Sequence, residues 1–217
     1  MPDRRGFLGL VGAGAALPLL PDLASAETHR PPVSEDWDMS WVDRVTGQHR
    51  AVFDAPELSN GLPLLRACLW AGQYREVYGD DTRTSPVLVL RHTAFAYAMD
   101  DATWDRFGLA GEFGLELFSG APASPGNPVR TARSDIPEPF RSLNLEQFQA
   151  SGGIVLGCNL AFSFEMVPRF QKAGNLTPEA ARAEAMTHLL PGVILQPSGF
   201  FAVSRAQEVG CQFVPAS

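Results

Sequence analysis

Three short apolar runs stand out along the chain: Pro86-Val87-Leu88-Val89-Leu90, Ile154-Val155-Leu156 and Val193-Ile194-Leu195. Each is rich in β-branched and aliphatic side chains and is bounded by glycine, proline or polar residues. That is the pattern of a strand covered on both faces. Residues 48–54 predict a first strand and residues 211–214 a short last one. Between the runs the apolar spacing becomes helical. Residues 62–78 carry Leu65, Cys68, Leu69, Trp70 and Tyr74 in one band, with Pro63 confined to the first turn, where a missing N–H does no harm. Thr177 and Pro178 supply an N-cap and a first helical residue for a helix to about residue 190. Residues 200–209 predict another, stopped by Gly210. Helix is also expected over 101–107, 142–150 and 160–173, the last kinked at Pro168. Residues 93–99 read as a strand extension or as the opening of a helix. Strands alternating with helices predict an α/β fold: a three-layer sandwich whose mainly parallel sheet of about five strands is covered by helices on both faces.

The two ends and the middle break this alternation. Residues 1–26 have the parts of an export signal: Arg4-Arg5, an apolar stretch to Leu20, and a small-residue cleavage site at Ala24-Ser25-Ala26. The paired arginines before Gly6-Phe7-Leu8 resemble a twin-arginine signal, although Asp3 stands where a Ser or Thr is usual. The apolar part is too short and too broken by Gly and Pro to span a bilayer, and no other stretch qualifies. A periplasmic mature chain without a membrane span is the expectation. Residues 27–47 then form an N-terminal arm in which Trp37 and Trp41 either anchor it by packing or clamp a neighbouring subunit. The main domain covers 48–217. Within it, residues 110–139 hold Pro122, Pro125, Pro128, Pro137 and Pro139. A loop this long suggests a lid or an oligomer contact.

The formal charge of −7 and the single lysine, Lys172, exclude the clustered basic surface that nucleic acid requires. Hydrophobic residues make up 45% of the chain, enough for a full core.

Candidate chemistry gathers on the carboxyl ends of the strands, where open α/β sheets bind ligands. Those ends are His92, Cys158, and Gln196 with Ser198. Cys158 follows Gly157 at the handover from strand to helix, where the helix dipole favours thiolate. It reads equally as a small buried hydrophobe. There is no Gly-x-Gly-x-x-Gly or Gly-x-x-x-x-Gly-Lys-Ser/Thr loop, no Cys-x-x-Cys pair and no zinc-ligand spacing, so no cofactor and no metal is predicted. Cys68 reads as core, and a Cys68–Cys211 bridge is left open. His49 reads as a surface residue, and His188 as a favourable charge at a helix C-terminus.

Four blocks resemble the DsrE/DsrF-like superfamily of sulfur-relay proteins: Leu90-Arg91-His92, Gly157-Cys158-Asn159-Leu160, Pro191 through Gly199, and Arg205 through Cys211. The likeness runs from Val87 to the end, more weakly from Trp37. It implies a three-layer α/β fold, homo-oligomers and a cysteine carrying sulfane sulfur, a position Cys158 matches. On that reading a small sulfur compound or anion is the partner, and His92, Asn159, Gln196, Ser198 and Gly199 shape its pocket. The alternative is a non-catalytic module on the same fold, holding a small ligand or a soft metal at the strand ends.

Overall fold

Five strands lie parallel in one sheet, in the order β4-β3-β2-β1-β5: β1 (His49–Ala55), β2 (Thr84–Leu90), β3 (Ile154–Cys158), β4 (Val193–Gln196) and β5 (Gln212–Pro215). In this computed structural model the described residues are 37–116, 125–134, 136–138 and 140–217. The expected leader and the start of the arm lie outside them, as do residues 117–124, Asp135 and Pro139 of the proline-rich segment. The described residues fall in one unit.

Helices cover both faces, so the three-layer α/β expectation holds. On one face α8 (Gly199–Glu208) packs against β1, β2 and β3. Ala202 and Ala206 meet Val52, Val87, Val89, Ile154 and Leu156 there, together with a fully buried Trp41 from the arm. Trp41 thus anchors the arm within its own chain. The other face packs Phe53, Leu88, Leu90 and Val155 against Leu64 and Ala67 of α1 (Leu62–Tyr78) and Phe148 of α4 (Leu145–Ala150). Phe162, Phe170, and Ala181 and Ala185 of α7 (Pro178–Thr187) extend that layer. Both sides of β2 are covered, which explains its unbroken apolar run. Pro86 is tolerated inside β2 because β3 starts only opposite Val87, so the missing N–H falls beyond that ladder.

Two expectations change. The run Val193–Gln196 reads as a buried strand but forms the sheet edge, and its first three residues are only half-buried. Residues His92–Ala98 form a 3-10 turn rather than strand or α-helix, buried from Ala94 to Ala98. The helix expected over 160–173 is present with its distortion explained. It runs as α5 (Asn159–Ala161), a π turn (Phe162–Met166) and α6 (Val167–Gly174), with Pro168 at the start of α6. Proline has no N–H to give to the turn before it, and the wider π turn accommodates the loss. Part of the proline-rich segment is tied to α2 (Asp101–Phe107): the Gly126 and Asn127 amides donate to its Asp105 and Asp101. α3 (Leu109–Glu112) covers the first residues of that segment, which are helical rather than loop.

Candidate functional site

The chain leaves β3 toward one face of the sheet and leaves the adjacent β4 toward the other. After Cys158 it enters the helical run packed with Phe53 and Leu90; after Gln196 it enters α8 on the opposite face. Such a reversal between neighbouring parallel strands opens a crevice at their carboxyl ends. Cys158 and Gln196 are register partners across it, and Leu90 pairs with Gly157, so Arg91 stands next in the same row. Strand spacing places these three backbones about 4.8 Å apart in succession.

Cys158 caps α5. Its Sγ accepts the Ala161 amide N–H at 3.4 Å, so the sulfur faces the amide end of the helical run. The side chain is 6% exposed. Gly157 before it has no room for a side chain: a Cβ there would lie 2.9 Å from Phe95 and 3.1 Å from Leu195.

Arg91 binds Asp54 of β1 in a two-pronged pair, Nε to Oδ1 at 2.6 Å and Nη2 to Oδ2 at 2.8 Å. The hydrogen bond to Asp54 is the largest influence raising the guanidinium pKa; burial opposes it, and the charges of Asp54 and Cys158 add to it. The arginine also lies over the first turn of α8, its Cζ 5.2 Å from the Phe200 ring centre. Gly199 makes this approach possible, since a Cβ there would meet Arg91 Cδ at 2.6 Å. Ser198 caps α8 by accepting the Phe201 amide at 3.1 Å. The ten-residue α8 therefore points its amide end at the crevice.

Gln196 is fully buried. Its Nε2 donates to the Asp38 carbonyl at 3.0 Å and to Leu195 O at 2.9 Å, while Oε1 has no partner. Asn159 is committed elsewhere: its Oδ1 accepts from Arg182 Nη2 at 2.7 Å, and Arg182 also donates to Ser163.

His92 is exposed and sits in the left-handed region at φ +46, a conformation uncommon outside glycine. Its electrostatic neighbour is Glu165 of the π turn. Burial raises the Glu165 pKa, and the charges of His92 and Arg169 pull it partly back. The side-chain hydrogen bond to Cys158 comes from Ala161, not from His92.

Cys68 and Cys211 are the other two thiols. Burial pushes Cys68 up to about 12 and Cys211 up to about 11, the latter opposed by Arg50. All three cysteines are free. The Cys68–Cys211 bridge left open by the sequence is absent because the sheet separates them: Cys68 packs on the α1 face and Cys211 on the α8 face.

Of the residues expected at the strand ends, Cys158, Gln196, Ser198 and Gly199 lie at the carboxyl ends of β3 and β4, His92 is exposed and Asn159 is bonded to Arg182; sequence reading gave no role to Arg91, Asp54, Arg182 and Glu165. The signal available for the first pair was opposite charge at the ends of two successive strands. Among the described residues, no three His, Cys, Asp or Glu side chains gather as a metal site, and no helix is long and apolar enough to cross a membrane. No protein-family model, curated protein or solved structure matches this chain.

Proposed function

We propose that the protein is an exported carrier of sulfane sulfur that holds the transferable atom as a persulfide on Cys158. This extends the resemblance to the DsrE/DsrF-like superfamily. The supporting observation is the placement of Cys158: it lies at the crevice between β3 and β4, between Arg91 and Gln196, with an amide N–H on its sulfur. Sulfane donors such as thiosulfate are small anions. Arg91 and the amide end of α8 are the groups such an anion needs. In the transfer, the Cys158 thiolate attacks the outer sulfur of thiosulfate. A new S–S bond forms on Cys158, the donor S–S bond breaks, and sulfite leaves with the electron pair. Leu160, Phe164 and Phe200, on elements leaving β3 and β4, are exposed and offer apolar surface for the homo-oligomer that the resemblance implies.

The test is intact-mass analysis after incubation with thiosulfate or polysulfide. One added sulfur, released by a thiol reductant and lost in Cys158→Ser, is expected. An adduct that persists in Cys158→Ser overturns the assignment.

A second reading is a non-covalent anion module. It is favoured by the burial of Cys158, only 6% exposed. Thiosulfate binding by calorimetry without any sulfur adduct, abolished in Arg91→Gln and kept in Cys158→Ser, selects it.

A further inference from the structure

Arg182 of α7 is a half-buried cation without an anion. Among the described residues no carboxylate lies within ion-pair distance of it. Its guanidinium serves two neutral acceptors instead: Nη2 donates to Asn159 Oδ1 at 2.7 Å and Nη1 to Ser163 Oγ at 3.1 Å. The same group lies over the Phe162 ring, its Cζ 5.0 Å from the ring centre. The helix that carries it is well seated, with Ala181 and Ala185 fully buried and Thr177 capping the first turn.

The two acceptors bracket the turn on which Cys158 depends. Asn159 follows the cysteine and opens α5; Ser163 lies four residues on, in the π turn. The Ala161 amide that reaches Cys158 Sγ stands between them. Little holds this turn from within. The first N–H groups of a helix have no intrahelical partners, and the regular ladder gives way to the π turn after Ala161. A stretch this short does not order itself. Two charge-assisted hydrogen bonds from a neighbouring helix supply the order, and the planar guanidinium fork can span both acceptors at once. Arg91, whose charge also acts on Cys158, is bound to Asp54 and has no part in this brace.

We propose that Arg182 is a positioning residue for Cys158: by holding Asn159 and Ser163 it keeps the Ala161 N–H on the sulfur. This role rests on Cys158 being the reactive residue. Alkylation tests it without any sulfur donor, so its failure is distinguishable from failure of the sulfur-carrier assignment.

The rate of Cys158 alkylation by iodoacetamide is followed in the full chain from about pH 6 to about pH 10, with a urea midpoint for each variant to show that it is folded. Arg182→Gln is expected to move the midpoint of the rate–pH curve up by about one pH unit, about tenfold in rate at the acid end. Asn159→Ala together with Ser163→Ala should move it as far, and adding Arg182→Gln to that pair should move it no further. Arg182→Lys keeps the charge without the fork and should not restore the parent curve. Arg169→Gln, which unties α6 from Glu112 further along the same run, should leave the curve in place. The role is overturned by a parent-like curve in Arg182→Gln or Arg182→Lys, by an equal shift in Arg169→Gln, or by a further shift when Arg182→Gln joins the acceptor pair. If Arg182→Gln does not fold, the acceptor pair decides, and a parent-like curve there overturns the role as well.

Discussion

Replacing Gly199 by alanine gives the sharpest test of how the crevice is built. The new Cβ would lie 2.6 Å from Cδ, 2.8 Å from Cβ and 3.2 Å from Cγ of Arg91. Arg91 Cβ is fixed to the end of β2, so the conflict cannot be relieved by swinging only the tip of the side chain. Overpacking of this kind costs about 1–3 kcal/mol. The Arg91–Asp54 pair would also be disturbed, with side chains only 17% and 12% exposed. Full loss of one partner of a buried pair costs about 3–5 kcal/mol, but here both charges remain nearby, so only part of that applies. Alanine recovers at most about 1 kcal/mol in backbone entropy. The net expectation is a loss of about 2–3 kcal/mol. With a urea slope of about 2 kcal/mol/M the midpoint falls by roughly 1 M. Gly72, inside α1, is the control: a Cβ there meets nothing within 4 Å, so Gly72→Ala should stabilise by about 0.5–1 kcal/mol. The same substitution thus acts with opposite sign at the two sites. A Gly199→Ala stability within about 0.5 kcal/mol of the parent would falsify the packing argument.

Three further expectations concern titratable groups. Burial works against the charged Asp100, but the Thr103 amide and His188 outweigh it and hold its carboxyl below the ordinary value. A depressed carboxyl adds stability that is present above its unfolded value near 4 and lost as pH falls through the folded value. Asp100→Asn should therefore flatten the acid limb of urea midpoints measured from pH 6 to 3; an unchanged limb refutes the role. For Glu165 the sign reverses: burial raises its carboxyl, so stability is lost as pH rises from the unfolded value through the folded one. Glu165→Gln should leave the pH 7 midpoint equal or higher, and a clear drop contradicts this. Native alkylation at pH 8, followed by peptide mass analysis, should modify Cys158 before Cys68 or Cys211, because burial pushes those two thiols up to about 12 and about 11. Labelling of either one first removes the reason for singling out Cys158.

The α1 boundaries, Leu62–Tyr78, are readable from residue spacing alone. So is the Thr177 cap, whose hydroxyl accepts the Ala180 amide. These are local signals, carried by residues a few positions apart. The same holds for the placement of Cys158: a glycine-bounded apolar run ends there, and a strand must hand over to a helix. Arg91–Asp54 was not legible because its members are 37 residues apart. Only the parallel register of β1 with β2 brings them together. Val193–Gln196 reads as a buried strand because its composition is apolar. Whether an apolar strand lies inside or at an edge depends on strand order, which no single run encodes.

By itself, the sequence determined the alternation of strands and helices, the parallel sheet, and the acidic balance. Each depends on side-chain period, turn residues or summed charge, and all of these are written locally. The tertiary structure alone decided that Cys158 has Gln196 and Arg91 as row neighbours, and that Gly199 must lack a side chain beneath Arg91. Those facts depend on which strands neighbour one another and in what register. That is settled by how the whole chain buries its apolar faces, not by any stretch of it.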